Sequence, residues 1–238
     1  MNKLVDLQVL LPVHNEAGSI EATIREIYEE ISPKVNMEFI ICEDGSVDDT
    51  KNILYTLNEK YPIKLIMSEE RKGYSKAVKD GMKGLDAPYL LCLDSDGQCD
   101  PKDFWKFWDM RHQSEVIIGR RIKRADTWLR KLSSRIFYVV YKIFFNVPSN
   151  DPSCPFILTG KNIIDNLVGE MGSMQQGFWW EFTARAFLHG YKIREIPINH
   201  RKRFAGNTQV YLVRHMPKIG LKHFFALFQI RFQKRNNP

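Results

Sequence analysis

Tyr89-Leu90-Leu91-Cys92-Leu93-Asp94-Ser95-Asp96-Gly97-Gln98 sets an unbroken apolar run directly against a paired-acid turn. The run, Tyr89 to Leu93, reads as a short strand buried on both faces, as a parallel sheet requires. The same construction recurs upstream. Leu7 to Val13 leads into His14-Asn15-Glu16-Ala17-Gly18-Ser19, Glu38 to Cys42 leads into Glu43-Asp44-Gly45-Ser46-Val47-Asp48-Asp49, and Ile63 to Met67 is a further apolar run. Helical spacing fills the intervals: Ile20, Ile24, Ile27, Tyr28 and Ile31 before Pro33, then Ile53, Leu54 and Leu57 before Pro62, then Ala77, Val78, Met82 and Leu85. Strand and helix alternate through residue 110. That pattern predicts right-handed βαβ units and an α/β fold, a Rossmann-like, mostly parallel sheet with helices on both faces. The polar turns then share the carboxyl edge of the sheet, where open α/β folds bind ligands.

Past a further predicted strand, Val116 to Gly119, the character of the chain changes. Residues 1–110 carry 13 basic and 21 acidic side chains, whereas residues 111–238 carry 22 basic and 7 acidic ones. The overall charge of +7 therefore hides an acidic half and a basic half that wants an anionic partner. With 238 residues, 44% of them hydrophobic, the chain has material for a sizeable core, which excludes disorder and a collagen-like fibre. A helix is expected at Trp179 to His189 and a strand at Lys192 to Ile198. Cys42, Cys92, Cys99 and Cys154 lack zinc-ligand or redox-motif spacing, so neither a disulfide framework nor a zinc site is expected and a reducing compartment fits. The opening segment is too short in apolar residues for a signal peptide, and the apolar stretch Ile136 to Val147 falls short of the roughly 20 residues that cross a bilayer. A cytoplasmic location is expected.

Two segments combine aromatic and basic residues at helical spacing. Trp128, Leu129, Leu132, Ile136, Val139, Val140 and Ile143 alternate with Arg130, Lys131, Arg135 and Lys142; Leu221, Phe224, Phe225, Phe228 and Phe232 repeat the composition with Lys222, His223 and Arg231. Such a composition suits helices at a lipid interface, where the cations meet anionic headgroups, with packing in the core as the alternative. At the acidic edge, Asp94 and Asp96 at a strand end can hold a hard divalent cation, Mg²⁺ or Mn²⁺, shared with a phosphate-bearing substrate. Because the chain turns there, one carboxylate can take the cation while the other meets a ribose or a base.

Order and spacing of these segments together resemble the family 2 glycosyltransferases of GT-A fold. The match is closest to the polyprenyl-phosphate sugar transferases, the branch of dolichyl-phosphate mannose synthase. It rests on PVHNE, EDGSVDDT, RKGYSKAVKDG, DSDGQ, IGRR, the RKLS of Arg130 to Ser133, a loop from Asp151, WWEF and REIPINHRKRFAGNT, over about residues 7–210. The resemblance implies a catalytic domain over 1–210, divided into a nucleotide-sugar-binding half (1–119) and an acceptor-binding half (120–210), with an amphipathic extension over 211–238. It implies that Pro12, His14, Glu16 and Asp44 line the nucleotide pocket, that Asp94 and Ser95 neighbour the ribose, and that Asp96 and Gln98, with Asp94, lie at the metal. Arg121 and Arg130 would hold an acceptor phosphate, Arg203 would close over the donor diphosphate, and Glu181 would stand near the acceptor. The family usually has tyrosine where His14 stands. Thr208 replaces a serine, Gln209 a common lysine, Pro155 a glycine and Ile157 an arginine.

The function so implied is metal-dependent, inverting transfer of a sugar from a nucleotide sugar to a polyprenyl phosphate at the cytoplasmic membrane face, with GDP-mannose the leading donor and a UDP-sugar next. The protein would bind the membrane surface peripherally or through a small membrane-protein partner. A saccharide or protein hydroxyl acceptor is the alternative, and there Glu181 becomes the general base. A nucleic-acid-binding module would account for the basic half but not for carboxylate turns that repel phosphates. A nicotinamide oxidoreductase lacks its fingerprint, since the first turn has no GxGxxG.

Overall fold

A computed structural model describes residues 4–122, 128–204 and 216–233. Strands β1 (Leu7–Val13), β2 (Met37–Glu43), β3 (Ile63–Ile66) and β4 (Tyr89–Cys92) alternate with helices α1 (Ile20–Ile31), α2 (Thr50–Asn58) and α3 (Tyr74–Lys83). A 3₁₀ turn and α4 (Phe104–Met110) lead to β5 (Val116–Arg121) and α5 (Trp128–Phe144). Then come β6 (Ile157–Gly160), α6 (Lys161–Val168), α7 (Phe178–Leu188), β7 (Ile193–Ile198) and α8 (Met216–Phe232). The seven strands form one sheet in the order β3-β2-β1-β4-β6-β5-β7. β1 pairs in parallel with both β2 and β4, and β6 alone runs against its neighbours, β4 and β5.

The expected strands and first three helices are present, with shifts of a few residues at their ends. Leu7, Val9, Leu10 and Leu11 of the inner strand β1 are fully buried, and each such side chain contributes about 1.5–3 kcal/mol of apolar transfer. Ile63 to Ile66, expected as a strand buried on both faces, is only half-buried because β3 is the sheet edge and has a single neighbour. The sequence reading did not find β6. Its four residues, Ile-Leu-Thr-Gly, are too few to show a period, and the partners it separates lie far away in the chain. All four cysteines are free and buried: Cys42 in β2, Cys92 in β4, Cys99 after the Asp94 turn, and Cys154 before β6.

The C-terminal half adds a second apolar cluster. Tyr141 of α5, Phe145 just after it, Ala184 of α7, and Ala226, Leu227 and Ile230 of α8 are buried together. Phe144 meets Phe224 edge-on at 5.7 Å, and the Tyr141 hydroxyl lies 2.8 Å from Thr183 Oγ1. The predicted extension over 211–238 thus contains a helix that packs on the body of the protein. Each of these helices also keeps an apolar face in solvent. Ile136, Val139 and Ile143 on α5, and Leu221, Phe225, Phe228 and Phe232 on α8, are all more than half exposed. Neither helix contains an acidic residue. No described helix is long and apolar enough to cross a membrane.

Candidate active site at the carboxyl edge of the sheet

Parallel pairing of β1 with β2 and β4 brings three turns to one edge, and hydrogen bonds lock them into a single surface. The first two turns meet at Asn15, which adopts a left-handed conformation (φ 54°). Its amide donates to Ser46 Oγ at 2.9 Å, and its Oδ1 accepts from the Val47 amide at 2.9 Å. His14 Nδ1 lies 2.8 Å from the Asp44 carbonyl oxygen. Pro12 is buried, and its carbonyl accepts from the Ser95 hydroxyl at 2.8 Å, tying β1 to the third turn. Ser95 is thus turned inward. It fixes the Asp94–Asp96 loop instead of presenting its hydroxyl to a ribose.

Asp44 is buried, and its carboxylate sits against the first turn of α3. The Lys72 amide donates to Oδ1 at 2.6 Å and the Gly73 amide to Oδ2 at 2.9 Å, a favourable place for an anion at a helix N-terminus. Asp94 accepts a hydrogen bond from the Tyr74 hydroxyl at 3.1 Å. Loss of solvent and then the charge of Asp96 push the Asp94 carboxyl up to about 7. Burial likewise raises Glu16, against the lowering effects of the Ser19 hydroxyl and Arg203.

Arg203 bridges the acidic group. Its Nη2 lies 2.9 Å from Glu16 Oε1 and 3.1 Å from Asp96 Oδ2, while its buried Nε has no hydrogen-bond partner among the described residues. The segment that delivers Arg203 is strapped over the third turn. The Arg201 amide donates to the Gln98 carbonyl at 2.7 Å, the Phe204 amide donates to the Asp96 carbonyl at 3.2 Å, and the Gln98 amide nitrogen Nε2 donates to the Arg201 carbonyl at 3.2 Å. Gly97 permits this approach. It has φ 73°, and a Cβ there would come within 2.2 Å of the Phe204 ring.

Arg121, at the end of β5, is clamped by Asp151. Its Nε and Nη2 each donate to a carboxylate oxygen at 2.7 Å, and Nη2 also reaches Ser153 Oγ at 2.8 Å. Burial works against the guanidinium, but Asp151 outweighs it and holds its pKa above the ordinary arginine value. The fixed charges of Arg121 and Arg203 both act on Asp94. Arg130 falls in α5, and its side chain lies outside the described residues, as do Thr208 and Gln209.

Glu181 requires a correction. Read from sequence as a residue near the acceptor, it is fully buried at the start of α7. Its oxygens accept from the amides of Gly172, Ser173 and Met174 at 2.8–3.2 Å, and Arg185 Nη2 lies 2.8 Å away. A carboxylate so enclosed organises the 172–174 turn and is not placed to remove a proton from an acceptor. Two residues given no role from sequence do reach the site: Trp179 Nε1 donates to the Tyr74 hydroxyl at 2.7 Å.

A divalent cation suits this donor set. Glu16, Asp94, Asp96 and Gln98 carry hard oxygen atoms, and Asp94 and Glu16 are raised by burial first and by neighbouring carboxylates second. Among the described residues no three His, Cys, Asp or Glu side chains form a ready cage. Mg²⁺-type sites commonly use one or two carboxylates and complete their shell with substrate phosphates.

A mostly parallel sheet with carboxylates and arginines along its carboxyl edge defines the class as an α/β domain with a ligand-binding edge. Residues 8–168 match the glycosyl transferase family 2, and the chain belongs to that family. Among curated relatives, glycosyltransferase AglD of Haloferax volcanii is 26% identical over 97% of this chain and 38% of its own length. The undecaprenyl-phosphate 4-deoxy-4-formamido-L-arabinose transferase of Sodalis glossinidius is 23% identical over 89% of this chain and 65% of its own. The chain therefore spans between 38% and 65% of the length of these relatives. Glucosyl-3-phosphoglycerate synthase from Mycobacterium tuberculosis shares the fold with a TM-score of 0.70 and 15% identity, covering 98% of this chain and 82% of that one. This is the GT-A architecture that the sequence motifs imply.

Proposed function

We propose that this chain is a glycosyltransferase domain that moves a sugar from a nucleoside diphosphate sugar to the phosphate of a polyprenyl lipid, with inversion. The observation that carries this reading is one sheet edge holding both a carboxylate cluster suited to a divalent cation and two fixed arginines, Arg121 and Arg203, suited to phosphates. Among relatives, the Sodalis glossinidius protein is named for an undecaprenyl-phosphate acceptor. The Mycobacterium tuberculosis synthase has been crystallised with Mn²⁺ and UDP. These support a polyprenyl phosphate acceptor and a UDP-sugar donor beside GDP-mannose.

Asp96, with Asp94 and Gln98, would hold Mg²⁺ or Mn²⁺. The ion, when bound, neutralises charge on the departing diphosphate. The chain's own residues supply the rest. Arg203, whose Nε has no acceptor among the described residues, would donate to a diphosphate oxygen, and guanidinium forks bind such oxygens well. Arg121, locked by Asp151, would orient the acceptor phosphate together with Arg130. A phosphate monoester has a second pKa of about 6, so at neutral pH the attacking oxygen is already anionic. No protein base is needed, which suits a site whose candidate base, Glu181, is enclosed by donors. The exposed apolar faces of α5 and α8, free of acidic residues, would rest on the cytoplasmic face of a membrane and bring the enzyme to its lipid.

The test is a transfer assay with labelled nucleotide sugars, Mg²⁺ or Mn²⁺, and anionic liposomes carrying polyprenyl phosphate. Protein sedimenting with the liposomes, label passing from one donor into the organic extract, and loss of transfer in Asp96→Ala without loss of sedimentation are expected. Metal-dependent donor binding with no label in the lipid would overturn the acceptor assignment and redirect it to a hydroxyl.

A further inference from the structure

The Lys72–Tyr74 turn does more than open α3. β2 and β4 flank β1, so their carboxyl ends stand two strand spacings apart, about 10 Å. This one turn reaches both. The Lys72 and Gly73 amides hold Asp44 at the end of β2, and the Tyr74 hydroxyl holds Asp94 just beyond β4. Gly73, at φ 94°, supplies the left-handed bend between those two engagements.

The direction of the hydrogen bonds follows from chemistry. An indole N–H only donates and an ionised carboxylate only accepts, so the Tyr74 hydroxyl must accept from Trp179 and donate to Asp94. Trp179 is buried between Phe178 and Phe182, with ring centroids at 5.0 and 5.9 Å, and this packing fixes the indole N–H. Tyr74 itself is 40% exposed, so its ring is not a core element. The arginines nearby are directed elsewhere: Arg121 to Asp151, and Arg203 to Glu16 and Asp96.

We infer that Tyr74 is a positioning residue that sets the Asp94 carboxylate for the bound nucleotide sugar, and that Trp179 holds Tyr74 in place. The inference rests on the donor site proposed above. Through it, the first turn of α7 in the acceptor half fixes a carboxylate of the donor half.

Calorimetric titration with Mn²⁺ plus UDP, and with Mn²⁺ plus GDP, tests it in wild type, Tyr74→Phe, Trp179→Phe and the double variant. Tyr74→Phe removes one hydrogen bond to a charged group and should weaken nucleotide binding about tenfold. In turnover the loss should fall on donor KM and leave acceptor KM unchanged. The double variant separates positioning from packing, because it leaves no buried indole N–H without an acceptor. Affinity in the double variant as low as in Tyr74→Phe supports positioning. Recovery to the wild-type value would overturn it, leaving Tyr74 as a mere acceptor for the indole. Wild-type affinity in Tyr74→Phe would also overturn it and leave the donor site standing. A wild type that binds neither nucleotide would overturn the donor site and this inference together.

Discussion

At Glu181, three backbone amides and a guanidinium converge on one carboxylate; at the sheet edge, Arg203 is shared by Glu16 and Asp96, while Asp94 feels Arg121 and Arg203 only from a distance, Arg121 being clamped by Asp151. Both regions are acidic and both contain an arginine. The ratio of donors to carboxylates separates them. Glu181 is satisfied by the fold itself and holds a turn in shape. The edge holds more carboxylates than paired guanidinium groups, and its Asp94 and Glu16 carboxyls are raised, by loss of solvent first and by neighbouring carboxylates after it. A buried charge with its partners built in is architecture, whereas one whose partners are lacking is a place for a ligand.

The largest expected effect falls on the satisfied side. Glu181→Gln leaves the buried Arg185 with Glu170 as its remaining carboxylate partner among the described residues and sets an amide against the Gly172–Met174 donors, and it should lower stability by about 3 kcal/mol in urea denaturation, in the range for breaking a buried pair. Donor affinity of the folded fraction should be unchanged. A fully stable Glu181→Gln protein without transfer would break the comparison and restore Glu181 as a base.

A smaller effect, of opposite sense, belongs to Asp94. Its native pKa of about 7 lies above the unfolded carboxyl value, so the native state takes up the proton first. The ligand-free protein should therefore gain stability as pH falls from neutrality toward the unfolded carboxyl pKa, and lose that increment as pH rises through about 7. Cation and nucleotide binding need the ionised form. Binding should weaken by about tenfold per unit of pH below the native pKa and level off in Asp94→Asn, as read by titration at several pH values. A flat profile in wild type would remove Asp94 from the cation site.

The smallest effect sharpens the contrast. Glu16→Gln removes one of three like charges, and since Glu16 is partly solvated the stability change should stay within about 0.5 kcal/mol in the same denaturation experiment. A loss as large as that of Glu181→Gln would mean that the edge, too, is saturated.

Much of this was legible in the sequence. Apolar runs ending in acidic turns gave the parallel strands, and their shared edge gave the site, because period and turn chemistry are local properties. The link from Trp179 to Tyr74 spans 105 residues, and no local pattern announces it. The enclosure of Glu181 was equally hidden. Its donors come from the irregular Gly172–Met174 turn, where Gly172 has φ 139°, and a carboxylate at a helix start looks the same in sequence whether its neighbours are amides or substrate. The inward bond from the Ser95 hydroxyl to the Pro12 carbonyl was not legible, since alternation along a strand does not survive the turn that follows it. The helical spacing of α5 and α8 was read correctly. That one face of each is buried against α7 while another stays in solvent depends on a packing partner that periodicity does not identify.

The four buried cysteines give the chain a chemical timekeeper. Burial pushes the Cys42 and Cys154 thiols up to about 12, and it raises Cys92 and Cys99 well above the ordinary thiol value. A closed molecule offers neither thiolate nor access, so electrophiles and oxidants meet these sulfurs only during openings. Cys42 and Cys92 lie on the two strands flanking β1, while Cys99 and Cys154 lie beside the Asp94 turn and the Arg121 clamp. Alkylation in native buffer is thereby converted into a record of how often each half of the protein breathes.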